Sequence, residues 1–221
     1  MNRRDFLKIS ALTGVCLSIP QLLFANREFS CEIKSLLEGN ERYLRNLSKP
    51  KETSDEKRAE LASGQQPFAV VVSCSDSRVG PEIIFDKDLG EIFVIRTAGN
   101  VVDKITLGSI EYAVEHLHSS IVVVVGHEGC GAVKAAIELK GKPEGNIGAI
   151  VEKIIPAVKT AKRETDAYGG NLLYNAVKQN IKNVTQEIPA KSHIIAHALK
   201  EGHINVLGAY YSISTGKVER I

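Results

Sequence analysis

The chain has 221 residues, a formal net charge of +2, 43% hydrophobic and 24% charged residues, the balance of one well-buried globular domain. It is too short for two comfortable domains. The near-neutral charge, without spaced basic clusters, argues for neither a nucleic-acid groove nor an acidic partner and suits a small neutral or singly charged substrate.

Residues 1–25 resemble a twin-arginine export signal. Arg3-Arg4 precede Phe6-Leu7-Lys8, and the apolar run over 9–25 is broken by Ser10, Thr13, Ser18 and Pro20. That run is short and polar for a spanning helix, so the expectation is cleavage near Ala25 and a periplasmic protein with no stable membrane span once processed. The other reading is a short basic helix or an anchor that is never removed. Residues 26–66 read as an N-terminal helical arm. Ile33, Leu36, Leu37, Tyr43 and Leu44 give an apolar stripe over 28–47, Pro50 closes it, and a second short helix is predicted over 55–63.

Residues 67–221 read as a single α/β domain. FAVVVS at 68–73 and IVVVV at 121–125 are unbroken apolar runs rich in β-branched residues, the pattern of parallel strands buried on both faces. A shorter strand falls at 91–96, after Asp86-Lys87-Asp88, which reads as a solvated charged turn. Helices are predicted over 106–118, 131–139, 146–161, 171–187 and 192–200. A strand over 204–212 pairs with 217–221 through Ser214-Thr215-Gly216. Strands alternating with helices predict a mainly parallel central sheet flanked by helices, with an antiparallel edge hairpin at the C-terminus.

The chemistry sits directly after the two long strands. Cys74-Ser75-Asp76-Ser77-Arg78 follows the first and His127-Glu128-Gly129-Cys130 the second. If these strands are neighbours, Cys74, His127 and Cys130 converge at their carboxyl ends, where open α/β sheets gather reactive groups. Two thiolates and an imidazole suit one Zn2+ per chain, with a fourth position left over. Asp76 and Arg78, alternate residues of a tight loop, can pair by two hydrogen bonds. The bland alternative is two buried cysteines, a helix-capping histidine and a loop ion pair. Glu128 has no catalytic role in this reading. His193 and His197 lie one helical turn apart and would suit a metal pair. Without an acidic third ligand nearby they read as surface histidines, and nothing singles out His116, His118 or His203.

C-x-D-x-R followed by H-x-x-C resembles the β-class carbonic anhydrases. The likeness extends through LLEGNER at 36–42, PEIIF at 81–85, FVIR at 93–96, AGN at 98–100, IEYA at 110–113, CGA at 130–132 and INVLGAY at 204–210. The resemblance implies reversible hydration of CO2 to bicarbonate and a proton, by zinc-bound hydroxide that an Asp76–Arg78 dyad orients. It also implies Gln65 as a donor to the substrate, Phe93, Ala98 and Tyr112 as substrate lining, with Tyr112 able to come from a partner, and assembly as a homodimer or homotetramer. Phe93, Ala98 and Tyr112 could equally be plain core. A zinc ion with two thiolates and a neutral imidazole is formally uncharged, so it should acidify water less than a three-histidine site, and activity should rise toward alkaline pH. Two alternatives remain open on these residues: hydrolysis of CS2 or COS on the same fold, and a zinc protein without turnover.

Overall fold

A computed structural model of the chain describes residues 21–143 and 145–221, with side chains from residue 31 onward. Of the export signal assigned to residues 1–25, the first twenty residues lie outside the described ones. Helix α1 (Gln21–Leu44) begins earlier than expected and ends sooner. Asn46 turns left-handed at φ 56° and the Leu47 N–H bonds back to the Arg42 carbonyl at 2.8 Å, which stops the helix before Leu47. Ser54 then caps α2 (Asp55–Ala62), accepting from the Lys57 N–H at 3.1 Å.

One five-stranded sheet follows, in the spatial order β2-β1-β3-β4-β5. Strands β1 (Ala69–Cys74), β2 (Ile92–Thr97), β3 (Ile121–His127) and β4 (Asn205–Tyr211) are parallel; β5 (Val218–Arg220) turns back antiparallel on β4. Every residue of β1 and β3 is buried, as their unbroken apolar runs require. On one face Val70, Val72, Val122 and Val124 pack against α4 (Lys104–Glu115), α5 (Gly131–Glu138), α6 (Ile147–Tyr168), α7 (Leu172–Lys191) and α8 (His193–Lys200). On the other, Val71, Val123 and Val125 meet Leu36, Ile33 and Tyr43 of α1, Val79, and the short α3 (Pro81–Ile84) with Phe85.

Two helices contain a proline and end later than the predicted 161 and 187. Helix α6 continues through Pro156 to Tyr168, and α7 through Pro189 to Lys191. A proline inside a helix costs about 3 kcal/mol, whereas each fully buried aliphatic side chain contributes about 1.5–3 kcal/mol. The buried stripe Val151, Ile154, Ala157 and Ala161 therefore outweighs the break at Pro156. Gly169, at φ 79°, finally ends α6 by donating to the Thr165 carbonyl at 2.8 Å.

The Asp86-Lys87-Asp88 turn is not solvated as expected: Asp86 and Lys87 are both buried. The arm folds over them. Asp86 accepts from Arg42 Nε at 2.6 Å, Lys51 Nζ at 2.7 Å and the Lys49 N–H at 3.1 Å. Burial works against its charge, but Lys51, Arg42 and the Lys49 amide overcome that and hold its pKa down to about 2. Lys87 donates to Ser35 Oγ at 2.7 Å and lies 5.2 Å above the Phe68 ring, and burial lowers its pKa. Asn40 completes the docking, donating to the carbonyls of Ile84 and Gly216 at 3.0 and 2.9 Å and accepting from the Val218 N–H at 2.9 Å.

The connectivity fixes where chemistry can occur. From β1 the chain crosses to β2 on one side, and from β3 to β4 on the other, so the segments leaving β1 and β3 diverge. A crevice opens at their carboxyl ends.

Candidate metal centre

Strands β1 and β3 pair from Ala69↔Ile121 to Ser73↔Val125, which places Cys74 and His127 at adjoining strand ends. Gly129, at φ 65°, lets the chain turn sharply, so that Cys130 returns to the same point as the N-cap of α5. The ligand atoms of Cys74, His127 and Cys130 all lie within 4.8 Å of one another, and all three residues are buried. Among the described residues no other such group is gathered.

The donor set is prepared for a cation. His127 Nδ1 lies 2.9 Å from the Glu128 carbonyl; as an N–H it donates there and leaves Nε2 with its lone pair free. Nε2 is buried without any hydrogen-bond partner, a costly state unless a ligand uses it. The Gly99 N–H donates to Cys74 Sγ at 3.3 Å. Hydrogen bonding from Cys130 first, helped by the Gly99 and Asp76 amides, drives the Cys74 pKa well below that of a free thiol despite burial. The Cys130 pKa moves upward, because it shares its proton with Cys74, is buried, and faces the Cys74 charge. Two sulfurs and one imidazole nitrogen match zinc's ligand preferences.

Gly99 cannot be replaced cheaply. Its φ of 69° is left-handed, and a Cβ there would stand 2.7 Å from Ile154 Cδ1 and 3.1 Å from the Ala132 Cβ. Its carbonyl accepts from buried Asn180 Nδ2 at 2.9 Å, so α7 anchors the loop that reaches Cys74.

Asp76 stands at the mouth of the cluster, its Oδ2 3.9 Å from His127 Nε2. Arg78 grips both carboxylate oxygens, Nε to Oδ1 at 2.9 Å and Nη2 to Oδ2 at 2.8 Å, and its N–H adds a third bond to Oδ1 at 3.0 Å. Those bonds, the guanidinium first, hold the Asp76 carboxyl well below the usual carboxylate range. Arg96 of β2, to which no sequence motif assigns a role, donates to the carbonyls of Cys74 and Asp76 at 3.0 and 2.6 Å and so fixes the loop between them. Glu128 accepts from Ser212 Oγ at 3.0 Å and the Ser214 N–H at 2.8 Å, tying the His127 segment to the turn after β4.

Residues 69–218 match the family described as Carbonic anhydrase. "Carbonic anhydrase 2" of Mycobacterium tuberculosis is 38% identical over 187 residues, covering 83% of this chain and 88% of that protein. The chain belongs to the β-class carbonic anhydrase family. Among solved structures, the Coccomyxa β-carbonic anhydrase in complex with acetazolamide aligns at TM-score 0.66 and 26% identity over 93% of this chain and 86% of that one. One of two tetrameric β-carbonic anhydrases from Sordaria macrospora shares the fold at TM-score 0.70 and 23% identity, over 89% and 96% of the two chains.

In this β-class chain the four residues expected to face the substrate are divided between the two rims of the sheet. Ala98 follows β2 and sits beside the Gly99–Cys74 contact. Gln65 lies before β1, in an open surface cavity with Leu61, Leu89 and Gly90. Phe93 is in register with Val70 near the start of β1, and the half-exposed Tyr112 ring lies 6.4 Å from that of Phe93. A strand advances about 3.3 Å per residue, so side chains at its amino end do not reach ligands at its carboxyl end within one chain.

Proposed function

We propose that this chain catalyses the reversible hydration of CO2 to bicarbonate and a proton, with one Zn2+ per chain held by Cys74, His127 and Cys130. The observation that carries this reading is the buried sulfur–nitrogen–sulfur cluster with an arginine-clamped carboxylate at its mouth. A bound zinc ion supplies the Lewis acid that makes water nucleophilic at neutral pH. The rest of the work falls to the chain's own groups.

Ionised Asp76 is an acceptor only, so it takes a hydrogen bond from the attacking water and aims that water's lone pair at the substrate carbon. Arg78 keeps the carboxylate charged and prevents it from turning onto the cluster. Arg96 acts through the backbone, holding Cys74 and Asp76 at a fixed separation. The Gly99 amide supports the Cys74 thiolate, and Ala98 offers CO2 an apolar contact.

Gln65, Phe93 and Tyr112 fit this reading as residues that a partner subunit contributes. Their separation from the cluster within one chain and the tetrameric Sordaria relatives support assembly as a homodimer or homotetramer. The Arg3-Arg4 segment supports export to the periplasm. Among the described residues no helix is long and apolar enough to cross a membrane.

The deciding experiment is stopped-flow CO2 hydration across pH, with zinc content, on protein lacking residues 1–25 and on its Asp76→Ala variant. One zinc per chain, hydration that climbs with pH, and collapse in the variant with zinc retained are expected. Full zinc with no hydration at any pH overturns the reading.

A further inference from the structure

Four of the chain's six histidines line one cleft at the amino rim of the sheet, away from Cys74, His127 and Cys130. The cleft holds about 610 Å³ between the C-terminal end of α4 and the helix α8, and closes on Ser119 and Ile204, just before β3 and β4. His118 enters from the α4 side, His193 and His197 from α8, and His203 from the loop after α8; Glu115 of α4 lies on the same wall.

The scaffold around these side chains is fixed. Ser192 Oγ donates to Glu111 Oε1 at 2.5 Å, joining α8 to α4, and Ser192 also caps α8 by accepting from the Ile195 N–H at 3.1 Å. The His203 N–H bonds to the Ala198 carbonyl at 2.9 Å, folding that loop back against α8. The Ser119 N–H bonds to the Ala113 carbonyl at 3.1 Å, which places His118, at φ 58°, beside the end of α4. His193 and His197, one helical turn apart, present two imidazoles from one face. The acidic ligand that the sequence near them lacks comes from Glu115, far away in the chain and adjacent in the fold.

We propose that this cleft is a second metal site, taking a borderline divalent cation of the Ni2+, Cu2+ or Zn2+ class through His193 and His197, completed by His203 or His118 and by Glu115. Imidazole nitrogen with one carboxylate is the donor set such ions prefer, and it excludes Ca2+ and Mg2+, which require oxygen. The Glu115 carboxylate adds negative charge to the imidazole donors on the same wall, so the cleft favours a cation over an anion. The rings are exposed and gather on the ion by side-chain rotation, which is fast at a surface. Binding is therefore weaker than at a buried, preassembled centre.

The test uses the zinc-loaded enzyme titrated with Ni2+ at pH 7.5, with zinc and nickel measured in the same dialysed sample. Expected are one nickel per chain with zinc retained, loss of that nickel in the His193→Ala/His197→Ala variant, and weaker uptake in Glu115→Gln. CO2 hydration by the zinc-loaded double variant should be unchanged. Nickel uptake that the double variant leaves intact, nickel gained only as zinc is lost, or no nickel uptake overturns the proposal.

Discussion

At the carboxyl rim of the sheet, Cys74, His127 and Cys130 are buried and their ligand atoms already lie within 4.8 Å of one another. At the amino rim, His118, His193, His197 and His203 are exposed around a cleft. Both rims draw donors from segments that adjoin the same sheet. They differ in what holds those donors. The carboxyl rim is enclosed by Gly99, Arg96, Asn180 and the Glu128 carbonyl, each fixed by a hydrogen bond. The amino rim has a fixed backbone but free side chains. Preorganisation, more than ligand identity, separates a centre that does chemistry from a surface that captures ions.

The sharpest way to break the contrast is to remove one buried donor. Cys130→Ala should lose zinc, and hydration should fall to the buffer level, read by metal analysis and stopped flow. Next in size, Asp76→Asn keeps the donors and removes the charged acceptor. Hydration should drop on the order of 10²–10³-fold while zinc content stays at one per chain. Arg96→Gln tests whether the loop needs its clamp. Two hydrogen bonds to backbone carbonyls are lost at a partly solvated site, and about a tenfold fall in kcat is expected with zinc retained.

Smallest in its effect on catalysis is Asp86→Asn, which acts on the arm and on stability. The folded pKa of about 2 lies below the ordinary 3.8, so Asp86 stabilises the fold above about pH 4 and loses that contribution as pH falls toward 2. Near pH 7 the variant should be less stable by about 2 kcal/mol. Urea titrations at pH 7 and pH 3 should show the gap from the parent protein narrowing at the lower pH.

The sheet and the metal cluster were legible in the sequence because both are written locally. Unbroken valine and isoleucine runs announce strands buried on both faces, and the ligand motifs follow them directly. What the sequence concealed comes from contacts distant along the chain. Asp86-Lys87-Asp88 looks solvated until Arg42, Lys49 and Lys51 close over it. Arg96 and Asn180 act on Cys74 and Gly99 from other elements. Glu115 comes to line the same cleft as the α8 histidines only once α4 and α8 are packed. The far ends of α6 and α7 were also hidden: both helices run past the predicted 161 and 187, to Tyr168 and Lys191, carried by their buried stripes. Residue type alone likewise could not separate Ala98, beside Cys74, from Gln65, Phe93 and Tyr112 at the opposite rim.

The bond between His127 Nδ1 and the Glu128 carbonyl has a consequence for how the metal enters. It orients the ring without help from an ion, and the strands around it are buried by their own side chains. A zinc-finger peptide, by contrast, is unfolded until metal arrives. Here the ion acts as a ligand of an already folded chain, adding stability by mass action as its free concentration exceeds its Kd. A chelator should therefore lower Tm without unfolding the chain at room temperature, and zinc returned later should restore the original melting curve.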